Sequence, residues 1–315
     1  MRAVWLTKFG DPSVLVAGDA PDPVPGPGQV LIDVAYANIT FIETQFRATG
    51  NGPFNLKPPF IPGNGVGGVI AGVGPDTDPA LVGRRVVTSL SGTGGYASRV
   101  VVDATAPFEV PEGLALDEAV ALLADGRTAT MLIRTAAISS GERVLVEAAA
   151  GGVGSLAVQL AKAAGAQVVA AAGGERKLAL AAELGADATV DYREPTWAER
   201  VGTLDVVLDG VGGDVAQAAF ELLRPGGRML SYGLASGSWA AISPETAAAR
   251  DVRLLHPRPT PSELREYVES ALAEAAAGRL RPVIGQRFPL DRAADAHAAI
   301  ESRATIGKTL LEVGT

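Results

Sequence analysis

Ala149, Gly151 and Gly154 occupy the three small-residue positions of a G-x-G-x-x-G spacing in RVLVEAAAGGVGSLAVQLAKAAG, residues 143 to 165, with alanine replacing the first glycine. Each position has a mechanical reason. The first needs a small residue for a tight turn, Gly151 lets the backbone approach a pyrophosphate, and Gly154 lets a helix lie close on its strand. The free N–H groups and positive dipole end of that helix, at Gly152 and Val153, would face the phosphates. The chemistry implied is the holding of a dinucleotide. A glycine spacing alone is weak in a chain with 38 glycines, and an ordinary strand-to-helix turn is the competing reading.

The elements needed to present such a loop are legible around it. Val144 to Val146 is a short apolar run, the helix that follows ends at Gly165, and Gln167 to Ala172 reads as a second strand. A second helix, Glu175 to Leu184, is closed by Gly185 and completes a βαβ unit. Further strands are expected at 188–190, 205–209 and 228–232, with a helix over 214–223. This alternation predicts a parallel doubly wound sheet, which binds ligands at the carboxyl ends of its strands. The turns at those ends, Gly210 to Gly213 and Gly233 to Gly237, either satisfy tight backbone or leave room for a nicotinamide.

Residues 1 to about 120 read differently. Strands are expected at 3–6, 30–37, 67–73, 85–89 and 97–102, separated by PDPVPGPG, PPFIPGNG and GTGG, so the connections are turns and loops and the domain is barrel-like and antiparallel. A helix over 117–136 leads into the βα unit. From Pro261 the chain is helical through Leu280, followed by a short helix (292–302) and a closing strand (308–313) that could return to the first domain.

Composition narrows the function. At 315 residues the chain can hold about two domains, and 47% hydrophobic with 20% charged residues describes a globular protein. The amino terminus lacks a signal-peptide pattern and no apolar run approaches ~18 residues, so the reading is a cytoplasmic chain with no membrane partner. The net charge of −8 opposes a nucleic-acid partner. There is no cysteine, so disulfides, thiolate metal sites and a cysteine nucleophile are excluded; His256 and His297 are the only imidazoles, and His297 reads as a polar residue on a helix.

The order of motifs resembles the zinc-independent quinone oxidoreductase branch, which includes ζ-crystallin, of the medium-chain dehydrogenase/reductase superfamily. The matching segments are FGDPSVL (9–15), PDPVPGPGQVLI (21–32), TFIETQFRATG (40–50), PGNGVGGVI (62–70), GGYASRVVV (94–102), AAAGGVG (148–154), ELGADATVDYRE (183–194), LRPGG (223–227) and ESRATIGK (301–308). The resemblance implies an α/β fold in which a Rossmann-type NADP(H)-binding domain (121–258) is inserted into a GroES-like β-barrel domain (1–120, completed by 259–315). It also implies a substrate cleft between domains and a homodimer. Zinc-dependent relatives carry a cysteine ligand and a G-H-E stretch; here PGNG holds Asn64 and Gly65.

Cofactor choice turns on the end of the second strand, where an NAD site places a carboxylate ~20 residues after the glycine loop. Ala172, Gly173 and Gly174 stand there, with Arg176 and Lys177 beyond, which suits the 2′-phosphate of NADPH; Glu175, turned inward, would restore NAD preference. Lys177 and Tyr192 match family positions on the 2′-phosphate and adenine side. At the nicotinamide end the resemblance carries coenzyme contacts onto Thr40, Phe41, Thr44, Thr128, Gly210, Leu234, Ala235, Ser236, Gly237, Arg258 and Arg303. Thr40 replaces an asparagine of close relatives. The implied reaction is hydride transfer to a quinone or an α,β-unsaturated carbonyl, with Thr40, Arg47, Asn64 and Thr128 as the polar groups and solvent as the proton source. For Arg47 a structural salt bridge competes. A zinc-independent alcohol dehydrogenase lacks a Lewis acid here, and a non-catalytic NADPH-binding sensor or structural protein is the alternative class.

Overall fold

Two patterns of burial build two kinds of sheet. In Gln29–Ile39, Val30, Ile32 and Val34 lie inside while their neighbours are more exposed, as a strand with one covered face requires. In Arg143–Glu147 and Gln167–Ala172 nearly every residue is buried, as in strands covered on both faces. The structure, a computed structural model, describes residues 1–314. It divides into two compact units, Met1–Ala124 with the chain from Leu272 onward, and Asp125–Ala271.

The first unit opens with the antiparallel pair β1 (Arg2–Leu6) and β2 (Leu15–Asp19). Then come β3 (Gln29–Ile39), α1 (Phe41–Thr49), β4 (Gly65–Val73), β5 (Arg85–Ser89), β6 (Arg99–Asp103) and β7 (Phe108–Glu109). Strand β3 is the hub, antiparallel to both β4 and β6. Helix α1 corrects the expectation of turns and loops alone between these strands. Its buried residues are Glu43, Thr44, Phe46 and Arg47, so it carries no apolar stripe for hydrophobic periodicity to detect.

Helix α2 (Leu116–Ala136) precedes β8 (Arg143–Glu147), α3 (Gly152–Ala163), β9 (Gln167–Ala172), α4 (Glu175–Glu183) and β10 (Ala188–Asp191). After them follow β11 (Leu204–Asp209), α5 (Gly213–Glu221), β12 (Leu223–Ser231), α6 (Pro244–Ala249) and β13 (Arg253–Leu254). The strands of the second unit form one parallel sheet in the order β10-β9-β8-β11-β12-β13. The chain winds outward from β8 on one side and from β11 on the other, so the topological switch point lies between them. Leu145, Val169, Val207, Trp197 and Phe220 belong to the core on this sheet.

Helix α7 (Pro261–Ala276) stops short of the expected Leu280 and leads to β14 (Ile284–Pro289), α8 (Ala293–Glu301) and β15 (Lys308–Glu312). Strand β15 does return to the amino-terminal sheet: Thr309 pairs with Ile39 and Leu311 with Ala37, antiparallel to β3. Val4, Ile32, Val66, Tyr96 and Leu311 share its core. Among the described residues no helix is long and apolar enough to cross a membrane.

Candidate functional site

In the second unit, β8 ends at Glu147 and the chain turns sharply through Ala148, whose φ is 49°, before α3 begins at Gly152. The Gly151 amide donates to the Ala148 carbonyl at 2.8 Å, which closes the turn. A Cβ on Gly154 would overlap that carbonyl and lie 2.9 Å from the Ala149 Cα, so glycine is required there by helix–strand contact. Gly151 is different. Its φ is −80° and a Cβ would meet only the Ala148 oxygen, at 3.2 Å, so protein packing alone does not demand glycine. Apart from that oxygen nothing lies within 4 Å of a Cβ there, so the backbone is open at the start of α3, where Gly152 and Val153 present helix N–H groups. Asp125, buried on α2, lies against the same turn: a Cβ on Gly152 would overlap its carboxylate. Nothing in DGRTAT marks Asp125 in the sequence.

Beneath this loop two fully buried carboxyl groups meet, Glu147 at the end of β8 and Asp209 at the end of β11. Asp209 Oδ1 accepts the amides of Val211 at 3.0 Å and Gly212 at 2.7 Å, and Glu147 Oε2 accepts that of Val211 at 3.3 Å. Burial, then the neighbouring Asp209, pushes the Glu147 carboxyl well above the carboxylate range, so one proton is held between them. Tyr232 donates its hydroxyl to the Glu147 carbonyl at 3.0 Å. The pair fixes the turn after β11. The sequence signal was available, since VLVE and VVLD both end a buried strand on an acid.

At the end of β9 the structure brings together Gly173, Gly174 and Tyr192, and adds Arg193, which sequence reasoning missed. A Cβ on Gly173 would sit 3.2 Å from the Arg193 side chain and 3.4 Å from the Tyr192 ring, and one on Gly174 would be 3.1 Å from the guanidinium. Asp191 holds Arg193, with its Oδ2 2.6 Å from Nη2 and its Oδ1 3.0 Å from Nε, and also accepts the Gly174 amide at 3.0 Å. Arg193 lowers the Asp191 carboxyl to about 2. Arg176 and Lys177 begin α4 beside Gly174; Arg176 and Glu175 are exposed and Lys177 is half-buried.

The turns after β11 and β12 contact each other. A Cβ on Gly210 would lie 2.6 Å from the Tyr232 hydroxyl, and one on Gly233 2.6 Å from the Gly210 carbonyl; the Ser236 amide donates to Val211 at 2.7 Å. Glycine is thus used here for close approach of two turns. Leu234 and Ala235 are half-buried; Ser236 and Gly237 are exposed, as is Arg258 beyond β13. Thr128 is half-buried on α2, within the second unit. A concavity of about 280 Å³ lined by Met229, Trp239, Leu254 and His256 lies on the β12–β13 edge, next to the turn after β12.

In the first unit, Thr40 and Asn64 converge on Glu43, a residue absent from the expected set. Glu43 Oε2 accepts the Thr40 amide at 2.7 Å and its hydroxyl at 2.6 Å, and Oε1 accepts the Asn64 amide at 2.9 Å. The sequence held a signal, since Thr40-x-x-Glu43 is a capping box for α1. Asn64 Oδ1 accepts the Gly92 amide at 3.0 Å, which leaves its amide nitrogen as a donor. Phe41 is half-buried. Thr44 is buried and donates its hydroxyl to the Phe41 carbonyl at 2.7 Å. Arg47 corrects the catalytic set: it is 2% exposed and bonded to Glu301 and the Gly10 carbonyl, so it ties α1 to α8 instead of facing a ligand. Arg303 is exposed just after α8. His297 lies on a helix as expected, buried on α8 with Nε2 2.8 Å from the Tyr96 hydroxyl.

The donor set does not fit a zinc site. The chain has no thiolate, the His297 ring is committed to Tyr96, and among the described residues no group of three or more His, Asp or Glu is placed to hold a metal.

Residues 26–112 match the family model "Alcohol dehydrogenase GroES-like domain" and residues 184–311 match "Zinc-binding dehydrogenase". The chain is 35% identical to a probable quinone oxidoreductase of Schizosaccharomyces pombe, covering 98% of this chain and 96% of that protein. It is 32% identical to a 2-haloacrylate reductase of a Burkholderia species, covering 99% and 98%. The crystal structure of Escherichia coli quinone oxidoreductase complexed with NADPH superposes with a TM-score of 0.90 at 29% identity, covering 99% of this chain and 100% of that one. The first unit is therefore GroES-like and the second a Rossmann-type doubly wound sheet.

Proposed function

This chain belongs to the quinone oxidoreductase branch of the medium-chain dehydrogenase/reductase superfamily, and we propose that it reduces a quinone or an α,β-unsaturated carbonyl with NADPH, without a metal. The cofactor, when bound, supplies a hydride from its reduced nicotinamide. The observation that carries the choice of NADPH is the end of β9. Ala172, Gly173 and Gly174 offer no carboxylate to ribose hydroxyls, and Arg193, anchored by Asp191, lies against both glycines. Arg193 and Lys177 supply charge for the 2′-phosphate, Tyr192 a ring for the adenine, and the Gly151–Val153 amides hydrogen bonds for the pyrophosphate.

For the substrate, Thr40 provides a hydroxyl hydrogen-bonded to Glu43 Oε2, and Asn64 a side-chain amide oriented by the bond from the Gly92 amide to its Oδ1. Two such donors aimed at a carbonyl oxygen stabilise the negative charge that develops there as hydride arrives. The 2-haloacrylate reductase and the quinone oxidoreductases among the relatives support a conjugated carbonyl substrate. A panel of quinones and enones, incubated with NADPH and then NADH after treatment with chelator, tests the proposal. NADPH consumption with at least one class is expected. Activity that appears only on addition of zinc, or equal use of NADH, would contradict it.

A further inference from the structure

The reduced substrate needs a proton as well as a hydride, and the first unit holds a buried acid hydrogen-bonded to a half-buried hydroxyl. Glu43 is 5% exposed, sits at the start of α1, and accepts the Thr40 hydroxyl on Oε2 at 2.6 Å; with Glu43 protonated the same bond reverses, Glu43 donating to Thr40 Oγ1 and leaving the Thr40 hydrogen for the substrate. The same carboxyl group accepts the Asn64 backbone amide at 2.9 Å, so the acid touches the Thr40 hydroxyl itself and, for Asn64, only the backbone that carries its side chain. We propose, resting on the functional reading above, that Glu43 is a proton-relay residue acting through Thr40: it recharges the Thr40 hydroxyl as that hydroxyl protonates the reduced substrate.

The step balances. Hydride from NADPH adds to the β-carbon of the enone, the C=C pair shifts toward the α-carbon and the carbonyl pair onto oxygen, leaving an enolate and NADP⁺. The Thr40 O–H bond breaks as its proton passes to the enolate oxygen, while the Glu43 O–H bond breaks and its proton passes to Thr40 Oγ1. The enol rearranges to the saturated carbonyl, and the Glu43 carboxylate regains one proton from water through Thr40 once the product has left. For a quinone, the same proton completes the hydroquinone.

Burial keeps the Glu43 carboxyl above its ordinary value against the opposing pull of its bonds to Thr40 and Asn64 and of Lys308 on β15. The other titratable group facing it is Tyr96, with Arg47 close to Tyr96; burial raises the Tyr96 hydroxyl well above its usual range, so it stays neutral and neither supplies nor removes the proton at neutral pH.

The test uses the full chain with Glu43→Gln, Thr40→Val and Thr40→Ser, and with Glu43→Gln and Thr40→Val combined. Infrared difference spectra of wild type minus Glu43→Gln, taken without cofactor, should contain a protonated-carboxyl band that disappears as pH rises. With an enone, Glu43→Gln should lose about 10²-fold in kcat, keep the wild-type Kd for NADPH, and lose the alkaline fall of kcat that wild type shows over the same pH range as the band. The two combined substitutions should be non-additive, and Thr40→Ser should restore the pH limb that Thr40→Val abolishes. A folded Glu43→Gln with undiminished kcat, additive losses, or no titrating band would overturn the relay. Should Glu43→Gln fail to fold, the Thr40→Val and Thr40→Ser pH profiles decide, and equal profiles overturn it. A wild-type protein that shows the band but consumes no NADPH with any enone or quinone would refute the functional reading instead.

Discussion

Arg193 and Lys177 make cofactor choice a property of individual charges. A charge-assisted contact to phosphate contributes roughly 1.5–3 kcal/mol, so Arg193→Ala and Lys177→Ala are each expected to weaken NADPH binding by about tenfold to over a hundredfold. NADH affinity should change little, because it carries no 2′-phosphate. Fluorescence titration with both cofactors checks this, and parallel losses would assign the residues to the fold. Lys177 was legible because it follows the glycines at the strand end. Arg193 was not, because it lies 19 residues beyond Gly174 in sequence and reaches the site only through the pairing of β10 with β9. Glu43 escaped for another reason. Its bond to Thr40 is a local capping-box pattern that marks a helix start and not a site, and its second partner, the Asn64 amide just before β4, is a long-range contact that no local spacing encodes.

At the scale of the element, the βα turn from Glu147 to Gly154 separates a structural glycine from a ligand-facing one. Gly154→Ala forces a Cβ into the Ala148 carbonyl and should destabilise the protein by about 1–3 kcal/mol, seen as a lower melting temperature. At Gly151 a Cβ meets only the Ala148 oxygen, at 3.2 Å, and Gly151→Val is expected to melt cooperatively while losing NADPH binding. A folded Gly151→Val that binds NADPH at wild-type affinity would remove the loop from the cofactor site. Gly152→Ala is a poorer probe than its size implies, since it displaces Asp125. The doubly wound half of the fold was legible because β8, β9 and β11 are continuous apolar runs bounded by glycine turns. Helix α1 and strand β14 were not: the first buries polar groups, and the second exposes Arg287 and Pro289 along a half-covered strand.

For the whole molecule, buried titratable groups set the pH range of stability. The raised Glu147 carboxyl binds its proton in the folded state where the unfolded chain has released it, so stability falls as pH rises from the ordinary carboxylate value through the folded one. Glu147→Gln should therefore gain stability relative to wild type as pH is raised from about 5 to about 8. His297 has the opposite sign. Burial pushes it down to about 3, so the unfolded chain takes up a proton first and stability is lost as pH falls below the usual imidazole range. Thermal melts across pH should show His297→Gln flattening the acid side alone. The measurement that tests the central claim most directly follows the hydride itself. With NADPH deuterated at the transferable position of the nicotinamide C4 and an enone acceptor, mass spectrometry and NMR of the product should find deuterium on the β-carbon, transferred only in the presence of the protein and unaffected by chelator. A saturated product without the label, or no product from any quinone or enone in the panel, would contradict the account.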